Sequence, residues 1–518
     1  MTSASQSAPP TANVRGRAAL AAALGVGASL GTSELLAGLL DGVPSLVVSI
    51  GSALIDRLPA GAKEAAVAVF GTADKLALNL AIAAVALVIG GALGAVSVRS
   101  TRPITSGFTL AGLFAGLTTL AEPGTSLVRM PVALVVSVGV GIGVARRLVG
   151  EADGGEAPPV FGDATTGDAV DRSRRRFLGF AAAAATYAVV TAAVGRSLVQ
   201  RVVEPQVALA PPVEPVTAPP PEATFDVPGL SPLVVPNDSF YRIDVNLVIP
   251  RIDADEWRLT IHGMVDRPYV LTCDEILEMP LVERYVTIAC VSNEVGGDLI
   301  GNAAWTGVPL ADLLDRAGVQ DGATQIVGRA FDGWTAGFPT PAAFDREALL
   351  AVGMNGETLP LAHGYPARLI VPGLYGYVSA TKWITEIELT RFEDFDAFWI
   401  PRGWAKEAPI KTQSRIDVPR GRVEAGEIAI AGVAWAPNIG IDRVEVRVDG
   451  GPWRDAELAA SLDEDSWRQW RLAWVADPGT HEIQARATDA TGHTQTERLA
   501  PPAPDGATGY HTVRVTVT

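Results

Sequence analysis

The sequence holds two cysteines, and one of them, Cys290, stands at the end of a short apolar run, residues 285–289. A run of this kind predicts a buried strand, and the Gly- and Asn-containing stretch after it predicts a loop. A thiolate at a strand end is a soft ligand that would hold a soft metal centre. Two other interpretations stay open here: a buried structural cysteine, and a disulfide with Cys273.

Further motifs follow Cys290 in a fixed order. They are Cys290-Val-Ser-Asn293, Trp305-Thr-Gly-Val-Pro-Leu310, Met354-Asn-Gly-Glu-Thr-Leu-Pro360, His363-Gly-Tyr-Pro-Ala-Arg368 and Lys382-Trp383. Their order between Phe240 and Trp404 resembles the catalytic domain of the sulfite oxidase family of molybdenum enzymes. In that family the cysteine of a Cys-x-x-Asn motif binds molybdenum that is already held by the dithiolene of one molybdopterin.

The resemblance implies a Mo-molybdopterin cofactor with Cys290 as its metal ligand. His363, Arg368 and Lys382 occupy the positions of the family's cofactor-binding motif, and the phosphate of the cofactor needs such cations. For Arg368 and Lys382 the alternative is surface ion pairing. Further cofactor-binding residues implied by the resemblance are Asn293, Asp332, Phe240 and Tyr241.

The sequence also departs from the family pattern. Sulfite-oxidising members carry arginines directly after Cys-x-x-Asn, whereas Glu294 and Val295 stand there in this chain. Where they carry an active-site tyrosine, the nearest match is Trp404. The candidate catalytic residues are therefore Cys290, Trp404, Arg242 and Glu294. Because Glu294 would repel a dianion, we expect poor sulfite oxidation and a preference for a neutral or cationic substrate, such as a sulfoxide or an amine N-oxide.

Composition divides the chain into an N-terminal region that is typical of a membrane protein and a C-terminal region that is typical of a soluble, acidic protein. The first 221 residues hold 16 Lys and Arg against 14 Asp and Glu, a balance of +2, so the remaining 297 residues carry −18 of the net charge of −16. Such an acidic portion argues against nucleic acid as a partner.

Four apolar runs predict a transmembrane region over residues 1–150: residues 18–40, 76–98, 104–120 and 130–144. Residues 43–70, which contain prolines and charges, are predicted to form an interfacial loop. The basic residues gather before the first run, between the second and third, and after the fourth. This distribution predicts a cytoplasmic N-terminus.

A fifth transmembrane segment is predicted within residues 172–199, after a flexible loop at 151–171. It opens with Ser173-Arg-Arg-Arg-Phe-Leu178, which resembles a twin-arginine export motif; an ordinary positive-inside anchor is the alternative. Five crossings place the rest of the chain outside the cytoplasm, on a cell membrane. Residues 203–225 are Pro-rich and predict an extended linker that lifts the next domain off the bilayer.

The soluble part is predicted to contain two domains. Residues 226–409 mix short strands and helices, which is typical of an α+β domain, here the molybdopterin-binding one. Residues 411–518 show strands separated by turns and predict an all-β, immunoglobulin-like sandwich. The resemblance implies that this module makes the contact of a homodimer.

All five histidines lie beyond residue 261, so the predicted helices offer no imidazole to a haem. We therefore expect a separate electron-transfer partner, a cytochrome or a quinone. Glu34 stands well inside an apolar run; it is a functional candidate, or it lies near the outer end of a tilted helix.

The sequence thus predicts a membrane-anchored, extracytoplasmic molybdopterin oxidoreductase that transfers an oxygen atom to or from a small molecule. Two alternatives stay open: an S-oxide or N-oxide reductase of the same superfamily, and a non-catalytic envelope binding protein that has lost its cofactor.

Overall fold

The computed structural model describes residues 12–57, 74–98, 100–120, 122, 124–153, 166–200 and 207–518. Contacts divide the chain into two compact units. One comprises residues 1–203 together with 246–248, and the other comprises residues 204–245 and 249–518.

The first unit is helical. The helices among its described residues are α1 (Ala12–Leu39), α2 (Leu46–Arg57), α3 (Asp74–Val96), α4 (Arg102–Leu120), α5 (Arg129–Asp153) and α6 (Thr166–Gln200). Five of them, all except α2, contain stretches that are long and apolar enough to cross a membrane. Large apolar side chains such as Leu80, Val88 and Val135 are exposed on these helices, as expected for surfaces that face lipid.

Close backbone approaches at small residues fix the directions of the helices. A Cβ on Gly94 would lie 2.2 Å from the Ala18 carbonyl oxygen, and one on Gly90 would meet Val26, so α3 runs antiparallel to α1. Gly25 lies as close to Gly141, and α5 is likewise antiparallel. Small residues at such crossings let helices pack closely in an apolar solvent.

Helix α6 runs parallel to α1. A Cβ on Gly31 would lie 2.6 Å from the Ala188 carbonyl oxygen, and one on Gly38 would meet Gly195 and Leu198. The two helices that begin and end the bundle therefore point the same way, as an odd number of alternating passes requires.

The loop predictions for residues 43–70 and 151–171 are wrong in part. Residues 46–57 of the predicted interfacial loop form α2, whose first turn is capped by Ser45: its Oγ accepts from the Val48 amide at 3.3 Å. Residues 58–70 lie outside the described part. The predicted flexible loop at 151–171 contains the end of α5 and the start of α6, while residues 154–165 are not described.

The predicted Pro-rich linker is extended from Val207 onward, but it does not stand free of the next domain. The Val207 amide donates to Thr358 Oγ1 at 3.0 Å, and the Val213 amide donates to the Leu281 carbonyl at 2.7 Å. Glu214 forms a β-bridge with Val282. The prediction of a spacer is therefore wrong for these residues, because their backbone groups find partners on the soluble unit.

The α+β part of the soluble unit contains two sheets, of which the first is mixed and the second is antiparallel. One has the order β2 (Tyr269–Thr272), β1 (Arg258–Gly263), β10 (Ile384–Thr390), β5 (Gln325–Ala330) and β6 (Thr335–Pro339). The other has the order β3 (Val282–Ala289), β4 (Ile300–Pro309), β7 (Leu349–Met354) and β8 (Glu357–Thr358), with β9 (Arg368–Ile370) also paired to β7. The helices are α7 (Cys273–Leu277), α8 (Leu310–Ala317), α9 (Pro341–Asp345) and α10 (Gly376–Ser379).

The last 106 residues of the chain form two facing sheets that share one apolar core. The first contains β11 (Gln413–Val418), β13 (Gly426–Trp435), β17 (Arg468–Ala476) and β16 (Glu457–Leu458). The second contains β12 (Gly421–Val423), β19 (His511–Val517), β18 (Gly479–Asp489), β14 (Ile441–Val448) and β15 (Arg454–Asp455).

This sandwich is joined firmly to the α+β part. Trp467 is buried in the core of the α+β part, and its indole N–H donates to the Leu233 carbonyl at 2.7 Å. Arg415 donates to the Gly297 carbonyl at 2.9 Å, directly on the loop that follows Cys290. The β-sandwich thus helps to hold that loop in place.

Candidate active site

Cys290 is the first residue after β3, where the chain leaves the sheet for the loop that leads to β4. Its amide donates to the Leu299 carbonyl at 2.9 Å, which closes the base of this loop. Asn293 is buried and fixes the inside of the loop, because its Oδ1 accepts from the Leu299 amide at 2.9 Å. The asparagine of the Cys-x-x-Asn motif therefore positions the backbone around the cysteine.

Both cysteines are free thiols, so the disulfide alternative is wrong. Cys273 lies in the first turn of α7, directly after Thr272, whose side chain caps that helix. Burial raises the pKa of the Cys273 thiol to about 11. Burial also raises the pKa of Cys290, and hydrogen bonds from Ser292 oppose this shift. A cation would therefore be needed to hold Cys290 as a thiolate at neutral pH.

Cys290 faces a cleft with about 930 Å³ of space that protein atoms leave free, its open mouth included. Of the predicted site residues, eight line this cleft: Tyr241, Arg242, Cys290, Asp332, His363, Arg368, Lys382 and Trp404. They come from segments that are far apart in sequence. The fold therefore brings together most of the residues that the motifs had singled out.

Lys382 and Arg242 share one carboxylate in this cleft. Lys382 Nζ lies 3.1 Å from Asp244 Oδ2, and Arg242 Nε lies 3.4 Å from the same oxygen. The Lys382 side chain is 12% exposed, and burial lowers its pKa to about 8, against the opposing effect of Asp244. Lys382 is thus a cation at neutral pH that loses its proton a little above it.

Arg368 is the most deeply buried cation of the cleft. Burial lowers its pKa to about 10, so it stays charged at neutral pH. Its guanidinium lies 4.9 Å from the centre of the Trp305 ring and donates to the His363 carbonyl at 3.0 Å. Its Nε is buried and has no hydrogen-bond partner among the described residues. A buried charge that is not fully hydrogen-bonded is costly, which suits a site built for an anion.

His363 lies behind this cation and is neutral. Burial, together with the nearby charges of Arg368, Lys382 and Arg242, lowers its pKa to about 4. Its Nε2 lies 2.9 Å from the Asn237 carbonyl oxygen. Since a carbonyl accepts, Nε2 carries the ring proton in this contact.

Tyr241 stays protonated in this environment. Burial raises the pKa of the Tyr241 phenol, and the neighbouring Cys290 adds to the rise. Its ring stacks on Phe240, with 5.3 Å between the centroids, and Phe240 in turn packs edge-on against Trp305 and His363. Tyr241 thus offers a hydroxyl hydrogen rather than a base.

Aromatic side chains form much of the remaining wall. The Trp404 ring lies 5.8 Å from that of Tyr377 and 6.4 Å from that of Trp399, and all three line the cleft, as do Trp334 and Trp383. Such a wall is apolar but carries electron-rich ring faces. It suits an organic or cationic group better than a small dianion.

Three predicted site residues are not part of the lining. Phe240 is buried behind Tyr241, and Asn293 points into its own loop. Glu294 is exposed on the loop and does not border the cleft, which removes the basis for its predicted repulsion of a dianion there. Arg402 does not line the cleft either, and its guanidinium lies 3.7 Å from the centre of the Phe398 ring.

Sequence reasoning assigned no role to several lining residues, above all Asp244, Trp334, Tyr377 and Trp399. Asp244 stands four residues after the candidate Phe240. The signal that could have found it is that Lys382 and Arg242 were both candidate site residues and neither had been assigned an acidic partner. The aromatic residues come from three separate segments, and no local pattern indicates that those segments meet.

The donor set of the cleft fits the group that the sequence resemblance implies. A soft sulfur, three cations and a neutral imidazole line one cleft. Arg368 Nε has no partner among the described residues, so the protein alone does not satisfy this cation. These residues suit a ligand that combines a soft metal with an anionic, hydrogen-bonding body.

Comparison with known proteins agrees with this chemistry. The family profile "Oxidoreductase molybdopterin binding domain" matches residues 246–399. An uncharacterised oxidoreductase of Bacillus subtilis, YuiH, is 34% identical over 152 residues, which are 29% of this chain and 74% of that protein. Human mitochondrial sulfite oxidase is 30% identical over 321 residues, 52% of this chain. Among solved structures, the sulfane dehydrogenase SoxCD of Paracoccus pantotrophus matches with a TM-score of 0.50 and 25% identity, over 55% of this chain and 82% of that one.

Fold, cleft and comparisons define a molybdenum cofactor-dependent oxidoreductase that binds molybdopterin. The chain belongs to the sulfite oxidase family of these enzymes. It spans 58% of the length of the mammalian sulfite oxidases that it matches. The donor set retained in the cleft argues against the alternative of a non-catalytic envelope binding protein that has lost its cofactor.

Proposed function

We propose that the protein is a membrane-anchored enzyme whose catalytic part lies outside the cytoplasm, where it transfers an oxygen atom to or from a small molecule. Five apolar helices support the anchoring. Arg17 lies over the ring of Phe177 and Arg147 over that of Phe180, so basic residues of α1, α5 and α6 gather at one end of the bundle. That end is the cytoplasmic one, and α6 leads away from it to the soluble unit.

Cys290 is the protein's ligand to the metal in this proposal. Arg368 and Lys382 hold the anionic part of the cofactor, and His363, Asn293, Asp332, Phe240 and Tyr241 shape or border its pocket. The observation that carries the assignment is the open cleft in front of a buried thiol, bordered by a cation whose Nε has no partner among the described residues. When bound, the molybdenum centre supplies the two-electron chemistry of oxygen-atom transfer.

The protein's own groups then set access and charge. Arg242, whose side chain is 43% exposed, is the cation that an arriving substrate meets. Tyr241 donates a hydrogen bond toward the space in front of Cys290, and Trp404 and Tyr377 bind the apolar part of the substrate and exclude water. Glu294 lies outside the cleft, so its predicted catalytic role is not part of this proposal.

The aromatic wall favours a second candidate, the reduction of an S-oxide or N-oxide. Asp244 offsets one of the two charges of Lys382 and Arg242, and Arg368 is assigned to the cofactor, so less positive charge is left for a small dianion. A neutral sulfoxide or an amine N-oxide loses less hydration free energy on entering such a pocket. Sulfite is disfavoured for the same reason.

A substrate panel tests these proposals. The full chain is purified from a host that makes the cofactor, molybdenum is measured per chain, and turnover is followed with sulfite, sulfoxides and N-oxides using artificial electron donors and acceptors. Stoichiometric molybdenum with turnover of an oxide substrate supports the proposal. Stoichiometric molybdenum with efficient turnover of sulfite alone would contradict the substrate assignment and leave the enzyme class intact.

We also propose that Arg174 and Arg175 belong to an internal twin-arginine signal, since a cofactor inserted in the cytoplasm requires export of a folded domain. Both arginines are exposed near the start of α6. Changing both to Lys keeps the charge on which orientation depends. The catalytic part should then stay inside, and external protease accessibility measures this; unchanged accessibility would identify a plain topological anchor.

For the C-terminal sandwich we propose an immunoglobulin-like module that makes a homodimer contact. Its two packed sheets support the first part of this proposal. Sedimentation of the full chain against a chain that ends before residue 411 tests the second. If the full chain and the shortened chain have the same number of chains per particle, the dimer role of the sandwich is contradicted.

A further inference from the structure

The loop that carries Cys290, residues 290–299, joins β3 to β4 and contains two turns. The Asn293 amide donates to the Cys290 carbonyl at 3.0 Å, and the Gly297 amide donates to the Glu294 carbonyl at 2.9 Å. The second turn packs on the first, because a Cβ on Gly297 would lie 2.5 Å from Asn293 Oδ1. A displacement of Gly297 would therefore displace Asn293, whose amide is bonded to Cys290.

Arg415, in β11 of the sandwich, contacts the second turn from outside the loop. Its Nη1 donates to the Gly297 carbonyl at 2.9 Å, and among the described residues no other side chain outside the loop donates to it. Its Nε donates to Asp417 at 2.7 Å, and its Nη2 donates to the Ser231 hydroxyl at 2.8 Å. A planar guanidinium that is bound on every side fixes the direction of the carbonyl it contacts as well as its distance.

His511, in β19 of the other sheet of the sandwich, packs on the residue before Gly297. Gly296 has a φ of +80°, and a Cβ there would lie 2.2 Å from His511 Nε2, so only glycine allows this approach. The Ile416 amide donates to His511 Nδ1 at 2.9 Å, which orients the ring. Burial, with the charges of Arg420 and Arg415 nearby, lowers the pKa of His511 to about 4, so the ring is neutral at neutral pH.

The chain on the other side of Cys290 is held differently. β3 pairs with β4 without interruption from Val282 to Ala289, the residue before Cys290. Residues 291–299 belong to no strand. Cys290 is thus fixed on one side by a sheet, and on the other side by a loop whose contacts to Arg415 and His511 come from the sandwich.

We propose that Arg415 and His511 are positioning residues for Cys290, because they hold the loop that sets where its sulfur lies in the cleft. The inference rests on the proposed function in one respect, namely that this sulfur is the metal ligand. Groups behind a ligand decide how well it meets the geometry that the metal requires. Both residues therefore act on the site although neither lines the cleft.

Two variants of the full chain, purified in detergent, loosen these contacts, one from each sheet of the sandwich. Arg415→Met removes the donor to the Gly297 carbonyl. His511→Asn keeps a side-chain oxygen that can accept from the Ile416 amide, but it lacks Nε2 and Cε1, the ring atoms that meet Gly296.

Arg486→Met is the matched control. Arg486 also pairs with a carboxylate of the sandwich, Glu445, at 2.8 Å, as Arg415 does with Asp417. In the part of the chain that the structure describes, it donates to no atom of the loop. The control therefore breaks an ion pair in the same domain and leaves the loop contacts in place.

Hydrogen exchange in the cofactor-free full chain measures the loop directly. The readout is the exchange rate of a peptide that contains residues 290–299, divided by that of a peptide from β13. We expect this ratio to rise at least about tenfold in Arg415→Met and in His511→Asn, since the loop then opens without unfolding of the sandwich, and to stay unchanged in Arg486→Met. A merely structural role would raise the exchange of both peptides together and leave the ratio unchanged.

Two further measurements follow the sulfur. In the cofactor-free chain, labelling of Cys290 by iodoacetamide, relative to Cys273 of the same molecule, should become at least about fivefold faster in both variants and not in the control, because access to a thiol sets its reactivity. In the chain loaded with cofactor, the electron paramagnetic resonance spectrum of the partly reduced metal should change in the same two variants, because it depends on where the ligand atoms lie.

The outcomes separate this inference from the proposed function. An unchanged exchange ratio in both variants, or a raised ratio with Cys290 labelling at the wild-type rate, overturns the inference even if Cys290 binds the metal. If Cys290→Ser loses its molybdenum, an unchanged spectrum in both variants overturns it too. A raised ratio and faster labelling, in a protein whose Cys290→Ser variant keeps its molybdenum, support the positioning of this sulfur and contradict its proposed function as the ligand.

Discussion

Cys290 and Cys273 are both buried, both free and both thiols of raised pKa, but Cys273 is surrounded by packed side chains whereas Cys290 borders an open cleft. Cys273 lies in the first turn of a helix that packs into the core of the α+β part. Cys290 lies at a strand end and faces the cleft. Burial therefore does not set the proposed metal ligand, Cys290, apart from Cys273. The open space in front of the Cys290 sulfur does.

The same contrast holds for two buried arginines. Arg415, in the β-sandwich, forms an ion pair with Asp417 at 2.7 Å and donates to the Gly297 carbonyl and the Ser231 hydroxyl. Arg368, in the cleft, keeps a buried Nε without a partner among the described residues. The protein thus satisfies Arg415 within the fold, whereas the unpartnered nitrogen of Arg368 supports the proposal that this residue binds a ligand.

The largest expected effect comes from Cys290→Ser. A hydroxyl is a poor ligand for a soft metal, so turnover should fall by more than about 100-fold, beyond the range typical of outer partners of a metal site. Cys273→Ser should keep molybdenum and turnover, with a loss of stability of about 1–3 kcal/mol from a buried hydroxyl. Metal analysis and activity assays measure both. Activity that survives in Cys290→Ser and is lost in Cys273→Ser would reverse the assignment.

Arg368→Met should separate cofactor retention from stability. We expect cofactor affinity to fall about 10–100-fold while the unfolding free energy of the cofactor-free protein changes little, since a costly buried charge is removed. Arg415→Met leaves Asp417 buried and unpaired and should destabilise the fold by about 3–5 kcal/mol. Denaturant unfolding and phosphate analysis give the two quantities. A larger stability loss for Arg368→Met than for Arg415→Met would contradict the comparison.

Two tryptophans allow a test at the substrate. Trp404→Ala removes apolar contact worth about 1.5–3 kcal/mol and should raise KM for an organic oxide roughly tenfold, with a smaller change in kcat. Trp467→Ala, in the packed core, should lower stability by about 3–5 kcal/mol and leave KM unchanged. Steady-state kinetics and thermal unfolding check this pair. An unchanged KM in Trp404→Ala would remove the aromatic wall from substrate binding.

The pH dependence of cofactor retention follows from Lys382. Its pKa in the fold is about 8, below its ordinary value, so it carries charge at pH 7 and loses it as the pH rises through about 8. Retention of an anionic cofactor should fall over that range, whereas the cofactor-free protein should gain stability there, because the unfolded chain then binds more protons than the folded one. Asp244→Asn removes the group that raises the Lys382 pKa and should move the loss to lower pH. Cofactor release measured against pH decides this.

The smallest effect is expected from Glu294→Arg with Val295→Arg. The sequence predicted that Glu294 repels a dianion such as sulfite, but Glu294 is exposed and does not border the cleft. We now expect a change within a fewfold that disappears at high salt, since exposed charges are screened. A large, salt-resistant gain would mean that this loop closes over the cleft when substrate binds.

Local sequence determined the elements that hold the site. The apolar patterns at 310–317 and 273–278 are typical of helices and agree with α8 and α7, and those at 285–289 and 387–390 are typical of strands and agree with β3 and β10. Apolar periodicity sufficed there because each element buries one continuous face. It failed at residues 43–70, where prolines and charges suggested a loop although a helix, α2, begins after the Ser45 cap. It also failed at 207–224, where the hydrogen-bond partners of the extended chain are distant in sequence.

The ordered motifs by themselves identified the family and the cofactor and predicted Cys290 as the metal ligand, because metal and phosphate chemistry require particular residue types at fixed places. They did not show that the two cysteines stay apart, that Asp244 lies between Arg242 and Lys382, or that Glu294 turns away from the cleft. Those facts depend on which segments come into contact and on what space remains between them. Only the tertiary packing decides both, because the burial of a side chain, the charges around it and the atoms it can contact depend on residues that are distant in sequence.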